Sequence, residues 1–231
     1  MKLYLFSVCA CMIFSLQGIE PILHYDFSDP GICQGGRFKA PELVGNVEID
    51  SELGCIQIRP RNYLSIPESA SLSLLEGGTL YAVVYFDDDG GKNGADDAHD
   101  MLFFKNKSFL MGRNGGNLYC NLGNGEKWQN GIYCKVPVKQ WCALAMTVAR
   151  EINNGKTYYI AATYINGEQI KRVTWQFKGK DSQKPVTFGR GWGGPWFMKG
   201  KIAEMRIYPA PIGPAECKKI SEASLRKLKT K

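Results

Sequence analysis

Histidine is almost missing from this chain, with only His24 and His99 among 231 residues. No two cysteines have the C-x-x-C spacing, so a structural zinc site lacks both its imidazoles and its usual thiolate pairs. There is no Gly-x-Ser-x-Gly elbow, no His-Glu-x-x-His helix and no glycine-rich phosphate loop, which removes the hydrolase, metalloprotease and nucleotide-binding classes that depend on them. No apolar run is long enough to span a bilayer as a helix. No repeat of fixed period is visible.

What is present is an ordinary globular composition, 44% hydrophobic and 12% aromatic, with 26 glycines that predict many tight turns. Residues 1–18 carry Lys2, an apolar run from Leu3 to Leu16 and the small Gly18, the layout of a secretory signal peptide. Residues 19–231 are then expected to form one exported domain, since large all-β domains of this size commonly stay single. Removal of the leader takes Cys9 and Cys11 and leaves Cys33, Cys55, Cys120, Cys134, Cys142 and Cys217, an even set for which oxidation is the expected fate outside the cell. Cys120 and Cys134 flank a turn-forming stretch, Gly123 to Gly131, and form the first candidate bridge. The pairing of the other four stays open. The formal charge of +7 is concentrated in the tail from Lys218 to Lys231. Such a tail either holds acidic glycans or a membrane surface, or is a solvated terminus. No nucleic-acid motif accompanies it.

Alternation of apolar and polar residues, or for 79–86 and 140–148 an apolar run that suits a strand buried on both faces, predicts strands throughout. These run over 22–27, 79–86, 101–104, 109–113, 118–122, 140–148, 158–165, 168–175, 186–189 and 200–208. Residues 54–59 and 63–66 read as a strand pair turning at Pro60-Arg61-Asn62. Asn166-Gly167 is a type I′ hairpin signal, because both residues tolerate positive φ. In the last strand Ala203, Met205 and Ile207 are expected on one face and Glu204, Arg206 and Tyr208 on the other, with Ile202 marking a bulge or a position where the second face is also covered. Pro214 to Leu228 has the helical period, with Pro214 in the first turn and Ile220, Leu225 and Leu228 as contacts.

The order of Tyr25-Asp26-Phe27, Tyr63-Leu64-Ser65-Ile66-Pro67, Gln140-Trp141, Tyr164-Ile165-Asn166-Gly167-Glu168, Phe188-Gly189-Arg190-Gly191, Phe197-Met198-Lys199-Gly200-Lys201-Ile202, Arg206-Ile207-Tyr208 and Pro214-Ala215-Glu216 resembles the laminin-G-like, concanavalin-A-like lectin/glucanase superfamily, in particular its pentraxin-related branch. The resemblance implies an all-β jelly-roll sandwich of two antiparallel sheets. It also implies binding of glycans, matrix proteins or lipids, often with calcium. This chain carries Ala203 where the family usually has Asp after the last Gly-x-Ile.

Three sets of residues are candidates for function. Trp192 and Trp196 in a glycine-rich loop, and Trp128 in a second loop, offer flat indole faces suited to sugar rings, with Arg190 and Asn130 as hydrogen-bonding partners. The alternative is that a tryptophan plugs the end of the sandwich. The aspartate-rich loop 87–100, with Asp87, Asp89, Asp96 and Asp97, offers the hard oxygen ligands calcium takes, or is simply solvated. Glu48-Ile49-Asp50-Ser51-Glu52 matches the letters of the Glu-x-Asp-x-Glu signature of laminarinase-type glycosidases, with Glu48 as nucleophile and Glu52 as acid/base. On a strand successive carboxylates would lie about 6.7 Å apart, against the ~5 to 5.5 Å of a retaining pair. The segment also sits early in the chain, whereas that signature lies on a central strand. The function expected is a secreted, non-catalytic carbohydrate-binding or adhesion module. The alternatives are a β-glucan hydrolase and a protein-binding matrix module.

Overall fold

Gly200 begins the strand on which one whole layer depends. In the computed structural model, which describes residues 19–28, 41–66, 69–90, 99–192 and 196–230, β15 (Gly200–Tyr208) pairs along one side with β6 (Gly78–Phe86). Its other side is shared end to end by β4 (Cys55–Ile58) and β1 (Leu23–Asp26). The register slips between Ile202 and Glu204, where β4 stops and β1 takes over. The expected bulge is there, but it re-sorts the faces. Ile202, Met205 and Ile207 enter the core between the sheets, while Ala203 and Tyr208 turn to the outer side. One extra residue moves the side chains that precede it to the opposite face, which is why strict alternation placed Ala203 wrongly.

The chain forms an antiparallel two-sheet sandwich. The first sheet is ordered β13 (Glu168–Gln176), β12 (Lys156–Ile165), β11 (Trp141–Asn153), β6, β15, β4 and β3 (Glu48–Asp50), with β1 also on β15. The second is ordered β10 (Ile132–Lys135), β9 (Asn117–Leu122), β8 (Phe109–Asn114), β7 (His99–Lys105), β14 (Val186–Phe188), β5 (Tyr63–Ile66) and β2 (Glu42–Val44). The segments 55–58 and 63–66 are both strands but do not pair. The turn closed by Asn62 N–H donating to the Arg59 carbonyl carries the chain from one sheet to the other. Each strand then serves the apolar face it needs.

Leu23, Ile56, Leu80, Phe103, Met111, Leu144 and Phe188 belong to the core between the layers. A helix, α1 (Pro214–Lys229), lies on the outer face of the first sheet, burying Cys217 and Ile220 against Tyr81, Ala143, Ala145 and Ala203. The three alanines among them leave room for it. The hairpin β12–β13 turns through Asn166 and Gly167 at φ 53° and 85°, as the sequence predicts. Its tip touches the helix, because a Cβ built on Gly167 would stand 2.6 Å from the Lys218 Cα. No described helix is long and apolar enough to cross a membrane.

The expected disulfide is not formed. Cys120 faces Ile132 and Cys134 faces Leu118, so the two thiols sit diagonally on neighbouring strands. A diagonal pair is about 7 Å apart, beyond the ~4 Å between Cβ atoms that a bridge needs. Cys142 and Cys217 are also thiols, and burial pushes each up to about 12. Burial holds Cys120 far above the ordinary thiol range. Cys33, like the leader, lies outside the described residues.

Candidate functional site

Among the described residues no helix lies on the outer face of the second sheet, and along it the alternation of side chains sets aromatic and amide groups outward. On β9 the residues Leu118, Cys120 and Leu122 face the core, which sends Asn117, Tyr119 and Asn121 the other way. On β8 Phe109 and Met111 point in, and Leu110 points out. A bulge between Met101 and Phe103 turns Leu102 and Phe103 into the core together and leaves Met101 and Phe104 outside.

Met101, Phe104 and Leu110 form a small apolar cluster that is buried although, among the described residues, no strand or helix lies above it. Trp128, Trp196 and Tyr119 cover it. Trp196 stacks on His99 with centroids 4.0 Å apart and planes 10° from parallel, and His99 meets the edge of Tyr119 at 6.4 Å. Tyr119 stacks in turn on Tyr133 at 4.8 Å. The result is a wall of four rings crossing the strands, whose outer member, Tyr133, is 41% exposed. Burial and the neighbouring Tyr119 hydroxyl push the Tyr133 phenol above its ordinary value. Trp128 lies tilted against Phe104 at 6.1 Å.

The loops that carry these rings are pinned from below. Asn124 Oδ1 accepts the Glu126 and Lys127 amides, Gly125 N–H donates to the Lys107 carbonyl, and Gln129 N–H donates to Leu122. Asn121 Nδ2 donates to the Gln129 carbonyl at 2.8 Å and to the Tyr119 hydroxyl at 3.3 Å. On the other side Gly191 N–H donates to the Trp196 carbonyl, Met198 N–H to Gly189, and Arg190 and Phe197 form a bridge. Gly191 is required there, since a Cβ would meet the Met101 Cγ at 2.6 Å. A surface held this firmly loses little conformational entropy on binding.

Two of the three predicted tryptophans, Trp128 and Trp196, thus meet on one face from distant loops. Trp128 and Trp196 are half-buried and Trp192 is 54% exposed. The guanidinium of Arg190 lies 4.8 Å from the Tyr63 ring centre, at the β5 end of the same face. Asn130 is exposed, and its carbonyl accepts the Trp175 indole N–H at 3.0 Å. Tyr119, Tyr133 and His99 escaped the sequence reading. The signal was in Asn117-Leu118-Tyr119-Cys120-Asn121-Leu122, where an aromatic and two amides occupy the polar positions of a clean alternation.

The acidic triplet lies elsewhere. Glu48 and Asp50 are on β3, an edge strand of the other sheet, and line a shallow depression of about 390 Å³ with Glu52, Gln57 and Lys201. Glu48 meets the exposed Arg59 at 3.4 Å, and Asp50 Oδ1 accepts the Leu53 amide at 2.9 Å. Of the aspartate loop, Asp88 and Asp100 grip the wholly buried Arg113 at 2.8 and 2.5 Å. Burial holds Asp100 above the ordinary carboxylate range; for Asp88 burial acts the same way but is outweighed by the Arg113 and Gly90 hydrogen bonds, which lower it. A guanidinium already supplies the countercharge at these two carboxylates, so they do not suit a calcium ion. Asp87 accepts from Gln57 at 3.2 Å, Asp89 is exposed, and Asp96 and Asp97 lie outside the described residues. Among the described residues only His24, Asp26 and Glu204 bring three ligand-type groups together, and Arg206 and Lys227 pair with that group.

A sandwich of two antiparallel sheets with one C-terminal helix on an outer face defines the concanavalin A-like class. The chain belongs to the Laminin_G_3 family of the concanavalin A-like lectin/glucanases superfamily, which matches residues 60–218. No curated protein matches it. Among solved structures it is similar to the receptor-binding domain of botulinum neurotoxin type G, at 12% identity and a TM-score of 0.68, covering 88% of this chain and 51% of that one. The chain therefore spans about half the length of the toxin domain. It is also similar to domain 4 of AbnA, a GH43 extracellular arabinanase from Geobacillus stearothermophilus in complex with arabinotriose, at 18% identity and a TM-score of 0.63. That likeness covers 88% of this chain and 98% of that one. At these identities the likeness concerns the fold.

Proposed function

We propose that this protein is an exported, non-catalytic carbohydrate-binding module whose ligand lies on the outer face of the second sheet. The observation that carries this reading is the aromatic wall Tyr133, Tyr119, His99 and Trp196, flanked by Trp128. Flat rings with few fixed charges suit the apolar faces of sugars, and Asn117, Asn130 and Arg190 beside them supply directional hydrogen bonds. The arabinotriose held by the AbnA domain supports the ligand class, because that domain is matched over almost its whole length. The sialylated and ganglioside ligands named for the neurotoxin domains give weaker support, since only half of each is matched. The leader-like residues 1–18 support export, and the order of motifs supports a place near the pentraxin-related branch.

The hydrolase reading loses ground because Glu48 and Asp50 sit on an edge strand and Glu52 in the turn after it, all lining a shallow, open depression. Protein binding remains the competing non-catalytic reading, with Trp192 as its exposed anchor. Glycan arrays run with and without calcium, followed by calorimetry, separate the three. Trp128→Ala, Trp192→Ala or Tyr133→Ala is expected to weaken a bound oligosaccharide about tenfold, which is ~1.4 kcal/mol. Glu48→Gln should leave it unchanged. Release of reducing ends that Glu48→Gln abolishes would establish a hydrolase instead. An empty array would favour a protein partner.

A further inference from the structure

The other outer face, beside the helix, holds a second groove that the glycan-binding face does not explain. It encloses about 410 Å³ between the C-terminal half of α1 and strands β6 and β11. Trp141 and Tyr85 form its aromatic wall, 5.7 Å apart at 65°, and both are half-buried with part of the ring facing the groove. Leu225 and Leu228 of the helix form the opposite wall. Gln140 and Asn166, both exposed, stand at its rim. Asn166 Oδ1 accepts the Ala143 amide at 2.9 Å, which leaves its NH₂ group as a donor toward a ligand.

The charge of the groove is one-sided. Lys229 is among its lining residues and no carboxylate is. On the next strand Lys201 Nζ lies 5.9 Å from the Tyr85 ring centre, and exposed Lys218 and Arg226 follow along the helix, while Lys227 is engaged by Asp26 at 3.1 Å. An aromatic wall opposite aliphatic side chains, with amide donors and a cation at the rim, matches a sugar ring bearing an anionic group. The apolar face of the ring would lie on Trp141 and its carboxylate or sulfate would meet Lys229. We propose that this groove is a second saccharide site, selective for acidic sugars, on the layer opposite the aromatic wall. With a site on each side of the sandwich, one molecule joins two chains of a polysaccharide, and avidity on an extended matrix exceeds the affinity of either site.

The test uses the full chain labelled with ¹⁵N, because the indole N–H resonances of Trp141 and Trp128 report the two faces separately. Three probes of equal length are titrated: a neutral arabinotriose, a trigalacturonate and a sulfated neutral trisaccharide. At least one of the two acidic probes should shift Trp141 and bind more weakly as salt rises, and which of them does so identifies carboxylate or sulfate as the recognised group. Lys229→Glu, at an exposed position, should weaken that acidic probe about tenfold, and Trp128→Ala should leave its affinity unchanged. Trp141→Phe checks the stacking contact without emptying the wall. The proposal is overturned if neither acidic probe moves Trp141, if arabinotriose moves it as strongly, if Lys229→Glu binds normally, or if Trp128→Ala abolishes the binding of acidic probes. Loss of arabinotriose binding at Trp128 alone would leave this site standing while removing the other.

Discussion

Single side chains carry two strong constraints. Cys120, Cys142 and Cys217 are thiols that burial keeps protonated at neutral pH, so they are inert toward alkylation until the sandwich opens. Peptide mass mapping under non-reducing conditions should find Cys120 and Cys134 unlinked, with Cys120, Cys142 and Cys217 labelled only at the rate of unfolding. A disulfide-linked Cys120–Cys134 peptide would refute the register in which β9 pairs with β10. The second constraint is Glu204, buried beneath the helix. Burial alone would raise it, but hydrogen bonds from His24 at 2.7 Å and from Arg206 outweigh that effect and hold it below the ordinary Glu value of 4.5. A lowered folded-state value contributes stability above the unfolded-state value and loses it as pH falls through the folded one. Melting curves should therefore show Glu204→Gln about 3 kcal/mol less stable near neutrality, with the gap to the natural protein closing below pH 4.5. A constant gap across that range would show that the charge of Glu204 does no stabilising work.

Among the elements, the β12–β13 hairpin has the narrowest tolerance. Its Gly167 has φ 85° and no room for a Cβ against the backbone of α1. Gly167→Ala combines the positive-φ penalty with a clash that no side-chain rotation relieves, and should cost about 2 to 3 kcal/mol in urea unfolding. Gly155, at the free tip of the β11–β12 hairpin, also has positive φ but nothing within 4 Å, so Gly155→Ala should cost only about 1 kcal/mol. Equal losses at the two turns would mean that the helix does not rest on the hairpin. Both turns are legible as Asn-Gly pairs; only the packing separates them.

Taken whole, the chain crosses between its two sheets repeatedly, with β1, β3 and β4 in one and β2 and β5 in the other before the first long strand begins. Neither sheet is a continuous piece of chain, and both bury residues in one shared core. Thermal unfolding followed by far- and near-ultraviolet circular dichroism should accordingly give one coincident transition. Two separated transitions would show that one layer survives the loss of the other. The same interleaving brings Trp128 and Trp196 together, from loops far apart in sequence, over Met101 and Phe104.

Alternation, turn-forming pairs and the period of the last helix are local properties, and they place most of the strands, the Asn166-Gly167 turn and α1, but not the short strands β2, β3 and β10. Those signals depend on neighbours two to four residues away, which the order of residues contains directly. Sheet membership of 55–58 and 63–66, the face of Ala203, and the diagonal offset of Cys120 from Cys134 depended on which distant strand lies alongside. The wall of Tyr133, Tyr119, His99 and Trp196, and the groove beneath Leu225, likewise exist only once strands and loops from the whole chain meet. Pairing between distant segments is settled by the shared burial of their apolar faces, a cooperative quantity that no short stretch of the chain carries alone.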